Sequence, residues 1–472
     1  MKNIAFLVSA NKTIIFQEVA KKLKNDGYCT YWVTPSQYWY EWLLDQGIAQ
    51  DKILNLPGKV RALNKGMLSN NEIERISYIE SAANVSFSDL YFMDRVLREN
   101  NYHYAFRYML TCFDEIFNFL KEHQIDSVFS EQTWNFEIIT SIACSIIGVN
   151  SYYIDGVKVP DGEGVGRFTF FSGYLLNKLP KDLEPNKNDF EFASKFLTEY
   201  RKNKQGTSYL KSFFYKPSIK LNWLGKFTKH FKYLFFDKFD LTRRPLLSLV
   251  NYRLRQIFNH LVLSIVKPFN GVNNIESKHY VLIALHKQPD SAVDVAASAF
   301  LNQFEAIKTL VRKIPLSHDI VIKDHSHALG LNPLSKYKFL LQNPRVILAN
   351  PRADTFKLIE NAQLVYSLGG TVSLEAAIMG RRSLTAVEKF FSDVTMRKFV
   401  NPYQVSTAEL TEILNEKPPT DAKLIKYIAT VHVNSYVGMV LDPTSNSMYG
   451  SDENINNIYL GFKSFLLRDY DG

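Results

Sequence analysis

Cysteine is scarce in this chain. Its 472 residues hold three, Cys29, Cys112 and Cys144, widely spaced and odd in number. That pattern makes neither a disulfide framework nor a metal cluster, and it fits a reducing compartment. The ten histidines include no His-x-x-x-His pair in a helical context, which speaks against a structural zinc site. No apolar run reaches the ~18 residues that a membrane helix needs. The start, MKNIAFLVSANK, carries one lysine and a short apolar run with a small-x-small end. A helical pattern follows it at once, so it reads as a first strand rather than a leader. A cytoplasmic protein is therefore expected. The first β-α-β unit lacks Gly-x-Gly-x-x-Gly, so the dinucleotide fingerprint is missing from its usual place. No Asp-x-Asp falls at a cleft position, so no metal is required.

What is present belongs to a globular protein: 46% apolar and 22% charged residues. The length exceeds one ordinary core and predicts two or three domains. The net charge of +9 is uneven: residues 201–267 hold 15 Lys plus Arg against 2 acids, a local +13 that leaves −4 for the remainder. The same segment is rich in aromatics, among them Phe213, Phe214, Tyr215, Trp223, Phe227, Phe231, Tyr233, Phe235 and Phe236.

Along the chain, strands are expected at 4–9, 28–34, 126–130 and 150–154, with helices at 11–26, 72–123 and 134–147. A glycine-rich loop, 155–172, closes a first α/β domain, 1–175. Residues 176–275 break the pattern and read as a basic aromatic helical insertion. A second α/β domain, 276–404, has strands at 280–285, 319–323 and 346–348 and helices at 295–313, 333–342 and 354–361. Residues 405–472 read as C-terminal helices and a tail. Alternation of this kind predicts an α/β fold with two Rossmann-like domains, the GT-B plan, whose site lies outside the carboxyl ends of the strands.

The second domain centres on AQLVYSLGGTVSLEAAIMGRRSLTAV, residues 362–387. It reads as strand, glycine turn, helix, glycine stop, strand. Gly369 and Gly370 permit close approach of backbone to a ligand. Thr371 or Ser373 can cap the helix, and Gly380 ends it. Such a turn offers backbone N–H groups to a phosphate, and Glu375 is placed to accept from a ribose. By itself the stretch reads first as an ordinary βαβ unit with a glycine turn.

Its neighbours in the sequence add weight. Leu285-His286-Lys287-Gln288-Pro289-Asp290-Ser291-Ala292, Asn302-Gln303, Ile314-Pro315, Val321-Ile322-Lys323-Asp324-His325, Asp354-Thr355-Phe356-Lys357-Leu358-Ile359 and Gly370-Thr371-Val372-Ser373-Leu374-Glu375-Ala376 with Gly380 together resemble the capsule polysaccharide biosynthesis proteins, which include Kdo-type sugar transferases. The agreement spans about residues 280–390. Where that family has Lys-Glu-His-Pro, this chain has Lys323-Asp324-His325-Ser326. The resemblance implies a GT-B glycosyltransferase. It implies that Lys323, His325, Gly370, Thr371 and Glu375 hold the phosphate and ribose of a CMP- or UDP-linked sugar, with no further cofactor.

Several candidates have plain alternatives. His327 could replace His325. His286, at the end of a strand, could line the site or be a satisfied core histidine. Asp290 could act in the site or make a turn. Glu131, after a first-domain strand, is the first choice for a general base, although an acid there also suits a helix start. Asp155 is second, with Asp161 and Glu163 in the loop beyond. Arg167 could meet an acidic sugar or make a surface ion pair. The basic aromatic segment suits an anionic membrane surface; no nucleic-acid module is visible. The expected protein moves a sugar from a nucleotide donor to a glycan or glycolipid acceptor, peripheral to the inner membrane. A sugar-nucleotide epimerase or a non-catalytic capsule assembly factor are the rivals.

Overall fold

The computed structural model describes residues 2–158, 166–172, 178–204, 237, 239–244, 246–271, 275 and 277–471. Asp161, Glu163, the nine aromatics named above and most of the basic segment lie outside the described residues. In chain order the principal elements are β1 (Lys2–Leu7), α1 (Lys12–Asn25), β2 (Tyr28–Thr34), β3 (Ile53–Asn55), α2 (Tyr102–Glu122), β4 (Ser127–Ser130), α3 (Asn135–Ile147), β5 (Asn150–Gly156) and β6 (Arg167–Ser172). There follow α4 (Lys187–Asn203), α5 (Leu246–Val266), β7 (Tyr280–Ala284), α6 (Gln303–Val311), β8 (Asp319–Lys323), β9 (Val346–Ala349), β10 (Ala362–Ser367), α7 (Val372–Ile378), β11 (Arg382–Thr385), α8 (Asp421–Val433), β12 (Tyr436–Val437) and α9 (Asp452–Asp471).

The chain forms two compact α/β units. The first comprises the described residues of Met1–Pro180, Phe214–Leu246 and Asn434–Gly472. Its seven-stranded sheet runs β12-β6-β5-β4-β1-β2-β3. Strands β1 to β5 are parallel, and β6 and β12 are antiparallel additions at one edge. Ile4, Ala5 and Phe6 of β1 are wholly buried, as a central parallel strand covered on both faces requires. Phe6, Phe129 and Phe170 pack on Phe462 of α9. The last helix is thus part of the first unit's core.

The second unit comprises the described residues of Lys181–Phe213 and Leu247–Val433. Its five parallel strands run β11-β10-β7-β8-β9. Here β7 is central and its Tyr280–Ile283 stretch is buried. Helix α4 packs on α8, where Asp189 meets His432 Nδ1 at 2.8 Å and Arg201 forks onto Asp421.

Both units are Rossmann-like, as expected. The boundaries differ in two places. Residues 405–472 do not form a separate tail, because 405–433 count with the second unit and 434–472 with the first. The 176–275 insertion is likewise divided: α4 and, from Leu247, α5 are helices of the second unit, whereas Asp237 and residues 239–244 count with the first, where Asp237 accepts from Ser36 Oγ at 3.0 Å. Two expected helices are also broken. The 72–123 stretch forms three, Asn70–Ala83, Phe87–Met93 and Tyr102–Glu122. The first ends at Asn84 with a left-handed φ of 51°, and Ser86 caps the second through Asp89 N–H. Between the second and third, buried Asp94 accepts from Val96, Leu97 and Asn135 N–H groups. The 295–313 stretch holds a 3-10 turn at Ser298–Phe300 and becomes α-helical only from Gln303.

Candidate functional site

In an open parallel sheet, a ligand crevice opens where the strand order reverses, at the carboxyl ends of the strands. In the second unit the chain builds β7, β8 and β9 in one direction and then returns to the other side of β7 for β10 and β11. The reversal lies between β7 and β10. Their register pairs Ser367 with Ala284, so the residues that follow each strand stand side by side. Gly369 N–H donates to His286 Nε2 at 3.4 Å. A Cβ added at Gly370 would lie 2.8 Å from His286 Cε1. Here glycine is needed for space rather than for an unusual backbone angle.

His286 is held from behind. Its N–H and C=O both bond the Gln303 side chain, each at 3.0 Å. Gln303 also donates to Gln288 Oε1 at 2.7 Å, and Gln288 donates to Asp294 and to the Leu301 carbonyl. Gln303, the first residue of α6, thereby ties the start of that helix to the end of β7. Burial, opposed by Asp290 and aided by Lys389, pushes the His286 pKa down to about 4. The ring is neutral, and with Nε2 accepting it carries its proton on Nδ1.

Strand β8 lies on the other side of β7 and pairs Lys323 with Ala284. Lys323 is only 8% exposed and gives one of its three N–H bonds to the Pro351 carbonyl at 3.0 Å. Burial lowers its pKa, while Asp324, Glu375 and Asp354 pull it back up. Asp324 is buried and accepts from Tyr337 OH, from Asn332 at 3.0 Å and from His325 N–H at 2.7 Å. It shapes the turn between Lys323 and His325. His325 Nδ1 accepts from His327 N–H at 3.1 Å. Desolvation, then electrostatic interaction with His327, Lys323, His286 and Lys287, pushes the His325 pKa down to about 4, although the residue as a whole is exposed. Both imidazoles are thus neutral donors and not cations. The cations around them are Lys323, Lys287 and Lys389, and the last two were not singled out from sequence.

Several expectations for the glycine turn are corrected. Gly369 and Gly370 N–H groups bond His286 Nε2 and Ser367 Oγ, so the turn satisfies itself and does not offer them to an anion. Thr371 occupies the N-cap position without a side-chain cap bond, and Ser373 Oγ is buried on Ser367 Oγ and the Leu384 carbonyl. Neither caps α7. That helix has seven residues, so its macrodipole is a minor contribution. Glu375 is half-buried and close enough to Lys323 to raise its pKa. Asp290 caps the short helix Ser291–Asp294 through Ala292 N–H, which is the turn-making alternative.

The first unit has its own reversal, between β1 and β4. Lys12 follows β1 and Glu131 follows β4, and their side chains form an ion pair. Glu137, 1% exposed in α3, accepts from Thr133 and Trp134 N–H at 2.7 and 3.0 Å. Burial and then the charge of Glu131 raise the Glu137 pKa. Burial works against a charged Lys12, yet Glu131, Asp155 and Glu137 together raise its pKa. Glu131 and Asp155 are therefore brought together, around a lysine. Lys12 was missed in the sequence, because only the strand order shows that the β1 and β4 ends are neighbours, and Glu137 because its burial is set by packing. Arg167, at the start of β6, donates to Ser435 Oγ at 2.9 Å and to the Ser435 carbonyl at 2.5 Å. It clamps β6 to the segment entering β12, so neither alternative named for it describes these bonds.

No family model matches the chain, and no curated protein matches it. Solved structures give distant likenesses. The UDP-GlcNAc 2-epimerase from Methanocaldococcus jannaschii is 12% identical over 92% of this chain and 98% of its own, with a TM-score of 0.25. MurG of Acinetobacter baumannii is 11% identical over 92% and 98%, with a TM-score of 0.29. The β-Kdo 2,4 transferase KpsC of Thermosulfurimonas dismutans is 9% identical over 71% and 88%, with a TM-score of 0.36. The functional reading rests on the chain's own side chains.

Two outcomes are expected. Gly370→Ala forces the new methyl group against His286 and should cost about 1–3 kcal/mol by urea unfolding. Adding His286→Ala should recover part of that loss, and strict additivity would contradict the contact. In the first unit, the folded state holds the Glu137 proton above the ordinary 4.5. It therefore binds more protons than the unfolded chain above that pH, and stability falls as pH rises. Glu137→Gln should flatten this fall between about pH 5 and 8; an unchanged difference between variant and wild type across that window would contradict it.

Proposed function

We propose that this chain is a nucleotide-sugar-dependent glycosyltransferase of the GT-B type, acting in surface polysaccharide assembly. The observation that carries the reading is the crevice at the β7–β10 reversal. There two neutral imidazoles, His286 and His325, meet the electrostatic reach of Lys287, Lys323 and Lys389. Ammonium groups attract a nucleotide phosphate, and neutral imidazole N–H groups add donors without the cost of burying more charge. Glu375 serves the ribose hydroxyls and, with Asp354, offsets the lysine charge when no ligand is bound.

In the proposed transfer, the acceptor hydroxyl oxygen attacks the anomeric carbon of the sugar. The bond from that carbon to the nucleotide phosphate breaks, and the nucleotide leaves with the electron pair, stabilised by Lys323 and His325. The hydroxyl proton passes to Glu131, which Lys12 orients, or to Asp155. A retaining route would dispense with this base. The acceptor is a glycan or glycolipid.

Thermal unfolding against CMP, UDP, GDP and their sugars tests the reading. A ligand at 100 times its dissociation constant should stabilise by about 2.7 kcal/mol, and Lys323→Met should abolish most of that gain. Free nucleotide plus a lengthened glycan would support transfer. An isomerised nucleotide sugar would replace transfer with epimerisation, and no binding of any nucleotide would overturn both.

A further inference from the structure

Among the described residues, helix α5 packs on the second unit along one side. Asn259 Nδ2 donates to the Gly330 carbonyl at 3.1 Å, and Leu263 is buried in the core of the second unit. Gly330 lies so close that an added Cβ would stand 2.6 Å from the Gln256 carbonyl oxygen. The opposite side is open. Leu247, Leu254, Ile257, Phe258, Leu261 and Ile265 are all exposed, Leu247 by 83%, Phe258 by 66% and Ile265 by 80%. At 3.6 residues per turn they fall within about 100° of arc, and they extend about 27 Å along the axis. The exposed Arg253 and Arg255 flank the stripe, one on each side. No acid occurs in the sequence between Asp240 and Glu276.

We propose that α5 lies flat in the headgroup region of an anionic phospholipid bilayer, with this stripe inserted and its arginines in contact with lipid phosphate. An apolar stripe with basic flanks is the pattern of an interfacial helix. Among the described residues no helix is long and apolar enough to cross a membrane, so the helix lies on the surface and does not span it. Charge argues against a second copy as the occupant. Two such faces paired about a two-fold axis would bring Arg253 and Arg255 of each copy together, and α5 has no acid to answer them. The inference is independent of the catalytic reading, since binding to vesicles needs no nucleotide.

Flotation of the full chain tests it, with phosphatidylcholine vesicles containing or lacking phosphatidylglycerol, at physiological salt. The chain should float with the anionic vesicles only. Leu254→Glu with Phe258→Glu should lower the bound fraction at least about tenfold with an unchanged melting temperature, because both side chains are exposed. Arg253→Gln with Arg255→Gln should weaken binding and reduce its salt dependence. Three results would overturn the proposal. One is no flotation with either vesicle. Another is binding that neither double variant alters. The third is a dimer, measured by light scattering without lipid, that Leu254→Glu with Phe258→Glu converts to monomer.

Discussion

The second unit depends on one close fit, the His286 ring in the space where a side chain at position 370 would begin. The fit follows from topology. Because β10 returns to the side of β7 that β8 does not occupy, the turns after β7 and β10 must share one small region. One of them has to give up its side chain, and it is the Gly369–Gly370 turn. Gln303 then fixes the backbone of His286, and the resulting desolvation keeps the imidazole neutral. A neutral ring beside Lys389 is compatible with its charge; a protonated one would add repulsion.

The two units use the same strand-order reversal for opposite electrostatic ends. In the second, lysines outnumber the nearby acids that are not already spent: Asp324 is committed to Tyr337, Asn332 and His325 N–H, and Asp290 to a helix cap. In the first, one lysine stands among three acids, Glu131, Glu137 and Asp155. The first arrangement suits a proton acceptor, and the second suits an anion.

Much of the fold was legible. The glycine stops at Gly148 and Gly380, the apolar strands and the helical periodicity placed most α/β elements of both units. The tail was not legible as a shared element, because nothing local in Asp452–Asp471 says that Phe462 and Phe465 will pack on Phe129 and Phe170. Lys323, His325 and Glu375 were visible as motif residues. Their states were not, since burial and neighbours decide that His286 and His325 are neutral. The glycine turn misled in detail, because Ser367 and His286 satisfy the N–H groups that a bare reading offers to a phosphate. Lys12 stayed hidden because strand order, and not sequence distance, puts it beside Glu131; Glu137 is near Glu131 in sequence, but its burial is a tertiary fact.

The central claim is that the crevice between the β7 and β10 ends holds a nucleotide. A photoreactive uridine or cytidine diphosphate analogue, cross-linked to the full chain and mapped by peptide mass spectrometry, tests it most directly. The account predicts labelling, competed by the unmodified nucleotide, on peptides carrying His286 to Asp290, Lys323 to His327 or Gly369 to Glu375. Competed labelling confined to other parts of the chain would contradict it.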